Sequence, residues 1–321
     1  MYLFFRIHFL LTVIITFAIS ILANQSSLYA ELKTNVYDYN YLFVHGLSGS
    51  PKNKNHYINY RVILPSYTCY AYSGPELEND RFVAKKVCLG QDGDIKKLET
   101  GLKNDAVSSE HKLIGVGVSK GAATLINAVA TGRFPMIKAL VLEGSFAHAT
   151  DIAYHLGRIS QYIPGGRTAI GLIMKHFVYP SYKLRGKQPI TSAPSVPHIP
   201  ILLIHSKQDH LIPINHSRKL YKALIQAGNK NVYLVEADRG EHAYILNSFD
   251  TTQTTWLCRL IHLFYQRHNL PYDKSIVESS NIKIDFAQFQ PSLKEINARI
   301  KRDEPGNFAY NICKSSKIAL L

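Results

Sequence analysis

Gly117-Val118-Ser119-Lys120-Gly121 is the pentapeptide whose residue types and spacing best suit chemistry. A serine with glycines two places away on either side fits a tight strand-to-helix turn that lifts a hydroxyl above a sheet. The glycines are needed because a side chain at either place would meet the neighbouring strand or helix. The helix that follows presents its positive end to negative charge developing beside the serine. A glycine-rich turn with a capping serine is the plainer alternative. The flanks favour the nucleophile: an apolar run, Lys112–Val118, leads in, and the small-residue stretch Gly121–Thr131 leads out.

A serine hydroxyl is a poor nucleophile until a histidine removes its proton, and the histidine needs a carboxylate to hold its tautomer. Of fourteen histidines, His242 is the best placed, in the polar stretch Asp238-Arg239-Gly240-Glu241-His242-Ala243. Asp209 follows an apolar run in Ser206-Lys207-Gln208-Asp209-His210. His210 is the rival base and Glu143 the alternative acid. Asp238 and Glu241 are too near His242 in sequence to orient it. His45-Gly46 ends the first apolar run, so the Leu47 N–H is expected to pair with the Lys120 N–H around an oxyanion. His45 itself is given no proton-transfer role.

These residues need elements to carry them. Strands are expected at Tyr41–His45, Arg61–Tyr67, Lys112–Val118, Ile137–Leu142, Ile201–Ile204 and Asn231–Val235. Helices are expected at Asp94–Lys103, Gly121–Thr131, Ser217–Ala227 and Thr254–His268, the last with Trp256, Leu260 and Phe264 on one face. Unbroken apolar runs separated by helices imply a mostly parallel sheet covered on both sides, an α/β fold. Serine, acid and histidine then fall at carboxyl ends of strands, where open α/β sheets build their sites. Residues 147–198, with a helical patch at Ile152–Gln161 and no core strand, read as an inserted lid within a body of residues 31–270. Residues 271–321 read as an extension, helical near Ile296–Arg302.

The chain order Ser119, Asp209, His242, the Gly117–Gly121 elbow, His45-Gly46 and the Gly240-Glu241-His242 loop resemble the α/β-hydrolase superfamily over roughly residues 40–268. Lys120 departs from the bulky apolar or glutamine residue more usual after the nucleophile. Gly-x-Ser-Lys-Gly is similar to the elbow of some acyl-CoA thioesterase and acyltransferase-like members. The resemblance implies hydrolysis of an ester, thioester or amide through an acyl-enzyme, with no metal or organic cofactor. An esterase, lipase or thioesterase on a small acyl substrate is the expectation. A peptidase or amidase of the same fold, or a binding protein without turnover, are the alternatives.

Composition frames this reading. The 321 residues are 46% hydrophobic and 19% charged, which excludes wholesale disorder, collagen and coiled coil. Cys69, Cys88, Cys258 and Cys313 are too few for a disulfide scaffold and lack zinc-site spacing. A Cys69–Cys88 bridge and free thiols are both compatible with the sequence. Thirty-seven basic residues against 23 acidic ones give a net charge of +14. No nucleic-acid motif or basic tract accompanies that charge. Residues 147–198 hold six basic residues against Asp151 alone, with Tyr154, Tyr162, Phe177, Tyr179 and Tyr182 among them. An anionic substrate or lipid headgroups would suit such a segment, and so would an ordinary solvated surface. At the N-terminus, Arg6 and His8 precede an uncharged apolar run from Phe9 to Ala23. That pattern reads as a signal peptide within residues 1–30, cleaved after Ala23 or Ala30, or as a membrane anchor through residues 1–23. Either places the body outside the cytoplasm.

Overall fold

Alternate residues along each central strand face opposite sides, and in this chain both sides are apolar. The computed structural model describes residues 39–47, 49, 69–78, 81–156, 166–173, 176, 179–243, 251–280 and 283–303. The chain divides into two units, Met1–Asp38 and Tyr39–Leu321. The expected signal or anchor and the expected strand Arg61–Tyr67 lie outside the described residues.

Six strands form one parallel sheet: β1 (Tyr39–Val44), β2 (Cys69–Tyr72), β5 (Lys112–Val118), β6 (Ile137–Glu143), β7 (Ile201–Ser206) and β8 (Val232–Ala237). Their order is β2-β1-β5-β6-β7-β8. A small antiparallel pair, β3 (Leu77–Glu78) and β4 (Arg81–Phe82), stands apart from it. The helices are α1 (Asp92–Asn104), α2 (Lys120–Val129), α3 (Ala149–Leu156), α4 (Gly166–Ile173), α5 (Pro189–Ser192), α6 (Asn215–Gln226), α7 (Thr251–Arg267), α8 (Lys274–Glu278) and α9 (Leu293–Arg302). Among the described residues no helix is long and apolar enough to cross a membrane.

One sheet face sends Leu42, Leu113, Leu140, Leu203 and Leu234 against α1, α2 and α6. The other sends Phe43, Val116, Val141, Ile204 and Val235 against Leu257, Leu260, Ile261 and Phe264 of α7. Trp256 is only partly buried, edge-on to Phe289 at 6.0 Å. The expected strands and helices recur within a few residues of their expected ends where they are described. β2 was not foreseen, because Cys-Tyr-Ala-Tyr is too short and too polar to stand out. Cys69, Cys88 and Cys258 are not joined in disulfides.

Residues 147–198 lie in sequence between β6 and β7 and add no strand among their described residues. Their later part is tied to the body: Gln91 Nε2 donates to Lys183 O at 2.7 Å, and Gln91 Oε1 accepts from Lys183 N at 2.8 Å. The chain beyond α7 wraps the exposed edge of the sheet. Phe286 and Phe289 join the core on the α7 face, while Ile296, fully buried, joins the core on the other. Between them Gln290 Nε2 donates to Lys230 O and Val232 O at 2.8 and 3.2 Å, occupying one carbonyl just before β8 and the first carbonyl of β8. An uncovered edge strand invites pairing with another chain, and this crossing blunts it.

Candidate active site

β5 sits in the middle of the sheet, between β1 and β6. The chain leaves it at Ser119, whose φ of 53° lies in the left-handed region that a serine rarely adopts. Strain of this kind persists only where the surroundings impose it. Here Ser119 N–H donates to Glu143 O at 2.8 Å, and α2 begins at the next residue. A Cβ on Gly121 would run into the Val44 carbonyl, and one on Gly117 would come within 2.7 Å of Ala122 Cα. Both flanking glycines are therefore required by close approach of backbone. The Ser119 hydroxyl makes no capping bond to α2, which leaves it available.

Asp209 follows β7 and His242 follows β8, two and three strands away from β5. Strands stand about 4.8 Å apart, so the loops after β7 and β8 must lean back across the sheet to meet the serine. They do. His242 Nε2 is 2.8 Å from Ser119 Oγ, and His242 Nδ1 is 2.7 Å from Asp209 Oδ2. An ionised carboxylate only accepts hydrogen bonds, so Nδ1 carries the proton and Nε2 is left to accept from the serine hydroxyl. Gly144, in the turn after β6, lets this happen: a Cβ there would sit 3.2 Å from His242 Cε1.

Asp209 is buried. Burial alone would raise its pKa. Hydrogen bonding and electrostatic attraction from the His205 and His242 imidazoles outweigh burial and hold the carboxyl well below the usual range. Its other oxygen accepts from the Leu211 and Ile212 N–H groups at 3.0 and 2.8 Å. His205 was not singled out from sequence. It is fully buried at the end of β7, 3.2 Å from Asp209 Oδ2, with Nε2 2.7 Å from Ile212 O and Nδ1 2.7 Å from Ser217 Oγ. The available signal was a histidine closing the otherwise apolar run Ile201–Ile204, four residues before the acid.

The other expected residues fall as follows. His210 is exposed. Glu143 is buried at the end of β6, and its backbone carbonyl receives the Ser119 N–H. Gly46 lies beside Ser119, where an added Cβ would be 3.5 Å from Ser119 Cβ, and Leu47 follows it directly. His45 is buried, edge-on to Phe43 at 4.7 Å. Leu47 also touches an apolar cluster that includes Phe146, Tyr182 and Ile212, drawn from three different loops.

Comparison with known proteins agrees with this architecture. An esterase of Pyrococcus furiosus superposes with a TM-score of 0.53 at 17% identity, over 73% of this chain and 84% of that one. An acylaminoacyl peptidase of Pyrococcus horikoshii gives 0.50 at 16% identity, over 78% and 39% of the two chains. At such identities the likeness is one of fold, and it defines the class: the chain has the α/β-hydrolase fold. Within that class, residues 181–260 match the family model described as secretory lipase. That segment carries Asp209 and His242. Over 110 residues the chain is 36% identical to the uncharacterized protein YfhR of Escherichia coli strain K12. The match covers 34% of this chain and 32% of YfhR, so it spans about a third of the curated relatives it matches.

Proposed function

We propose that this protein is an exported serine hydrolase that cleaves an ester or thioester of a small acyl substrate. The observation that carries the reading is the chain of hydrogen bonds from Asp209 through His242 to Ser119, with the serine held at positive φ. Ser119 Oγ attacks the substrate carbonyl while His242 Nε2 takes its proton, and Asp209 stabilises the resulting imidazolium. The N–H groups of Leu47 and Lys120 receive the oxyanion. His242 then gives the proton to the leaving group, and the acyl-enzyme remains. Water enters, loses a proton to the same nitrogen and releases the acid.

Two features favour an acyl substrate. Leu47, one of the two oxyanion donors in this reading, packs on the apolar cluster of Phe146, Tyr182 and Ile212, and residues 181–260 match a secretory lipase model. That same match and the apolar run Phe9–Ala23 support a location outside the cytoplasm, secreted or held by the N-terminal segment. In this reading residues 147–198 act as a lid, and their basic excess favours anionic substrates or lipid headgroups.

A fluorophosphonate probe tests the chemistry. Labelling of the wild-type protein that disappears in Ser119→Ala is expected. Absence of labelling on folded wild-type protein would overturn the enzyme in favour of a binding protein. A panel of p-nitrophenyl esters of graded chain length, run beside an acyl-CoA and an aminoacyl amide, then separates esterase, thioesterase and peptidase. Faster turnover of the amide than of any ester would make it a peptidase.

A further inference from the structure

The departure at Lys120, the residue after the nucleophile, has a structural partner. Lys120 is 1% exposed although it carries an ammonium group. Its Nζ lies 2.8 Å from Asp94 Oδ1 and 3.0 Å from Glu76 Oε1, and both carboxylates are buried as well. Asp94 belongs to the first turn of α1, and Glu76 to the turn after β2. Three elements distant in sequence thus meet at one side chain, directly behind the elbow. Burial would strip the ammonium of its proton, but the two carboxylates outweigh it and raise its pKa above the ordinary lysine value.

The cluster is braced from outside. Asp94 Oδ2 accepts from Gly90 N at 2.7 Å, and Asn127 Nδ2 of α2 donates to Gly90 O at 2.9 Å. The turn before α1 is therefore tied to α2 twice, once through Lys120 and once a helix turn or two further along. Gly74 closes the other side: a Cβ there would collide with Glu76 Oε2, Lys120 Nζ and Asp94 Oδ1 together.

A buried ion cluster is a poor way to gain stability. Desolvation of the charges offsets much of their attraction, and apolar replacements of similar volume are often as stable. What ion pairs with short, defined distances do supply is direction. Lys120 is the first residue of α2, and its own backbone N–H is one of the two donors assigned to the oxyanion above. Displacement of such a donor by a fraction of an ångström weakens transition-state stabilisation with little effect on substrate binding.

We infer that the buried Glu76–Lys120–Asp94 cluster is a positioning device that orients the elbow and aims the Lys120 N–H at the oxyanion. The inference rests on the serine-hydrolase reading. None of the three side chains touches substrate in it; they act through the backbone of residue 120.

The test compares the wild type with Glu76→Gln/Asp94→Asn/Lys120→Met, which removes every charge at nearly constant volume. With an ester the wild type hydrolyses, kcat is expected to fall about 10- to 100-fold at nearly unchanged KM. Tm should stay close to wild type, and Ser119 should still be labelled by the fluorophosphonate, more slowly. Gly74→Ala provides a second route, since its methyl forces the cluster apart without removing any charge, and the same kcat loss is expected. If the triple variant does not fold, Gly74→Ala decides alone. Wild-type kcat in whichever folded variants are obtained would overturn the inference while leaving the hydrolase intact. A wild type that neither labels nor turns over any ester would instead sink the hydrolase reading itself.

Discussion

Asp209 shows how much a single side chain is asked to do at this site. Two backbone N–H groups and the His242 imidazole hydrogen-bond to it, His205 Nε2 stands 3.2 Å away, and together they keep an anion stable where burial opposes it. Asp209→Asn should lower kcat about 10⁴-fold, because an amide in place of the carboxylate favours the wrong tautomer of His242. The same substitution has a signature in stability. A carboxyl whose folded pKa is depressed contributes stability above its unfolded pKa and loses it as pH falls through the folded value. The Asp209→Asn protein should therefore be less stable than wild type by its largest margin above about pH 5, with the margin shrinking in more acidic buffer. Urea unfolding at a series of pH values measures it, and a constant margin would contradict the assignment.

Helix α7 and the segment after it carry the next level of organisation. His268 follows the last turn of α7, packed on the rings of Phe264 and Tyr233 at 5.0 and 5.6 Å. Burial first, then the neighbouring Arg267, pushes its pKa down from 6.5 to about 4. The unfolded chain takes up a proton that the folded one refuses, so stability is lost as pH falls from about 6.5 to about 4. His268→Phe should flatten the stability profile in that window, and an unchanged slope would show that other groups set it. Further on, Ile296 is fully buried on α9, in the core shared with α6. Arg218 of α6 reaches the same segment through Arg299 O at 3.2 Å and the Asp303 carboxylate, while its guanidinium also pairs with Glu236 of β8 at 2.8 Å. Ile296→Ala should cost about 2–4 kcal/mol in equilibrium unfolding, as a buried methyl-rich side chain leaves a cavity behind. A loss below about 0.5 kcal/mol, as for a surface residue, would mean that α9 is only an appendage.

Over the whole molecule the charge of +14 acts as a field rather than as a contact. Some of the basic excess of residues 147–198 is spent locally, as in the exposed pair of Lys187 with Asp92 at 3.1 Å. The rest would draw anionic acyl substrates toward a site at the carboxyl ends of the strands. Relative kcat/KM for an anionic over a neutral ester should then fall as ionic strength rises from about 0.01 to about 0.5 M, because the screening length shortens from about 30 Å to a few ångströms. A preference that does not respond to salt would rule out long-range steering.

The architecture was legible because central strands buried on both faces must be apolar throughout and helices amphipathic, and both patterns survive in one dimension. Lys112–Val118 and Ile201–Ile204 needed nothing else to be read as strands. The elbow was legible for a related reason: glycines at 117 and 121 answer to close backbone contacts, with helix α2 and with strand β1 respectively. The partnership of His242 with Asp209 was suggested by chain order, but the 2.7 and 2.8 Å contacts depend on how far two loops lean across three strands. His205, the Glu76–Lys120–Asp94 cluster and the crossing of Gln290 over β8 left almost no trace in the sequence. Each joins residues that share no local pattern, and a buried polar group declares its partner only when the chain has folded around it. Sequence by itself determined most of the central strands and helices and the end of the sheet where the candidate site lies, since both follow from local periodicity and burial. Tertiary structure alone decided which polar groups meet, because the cost of burying them is relieved only by distant residues brought within hydrogen-bonding reach.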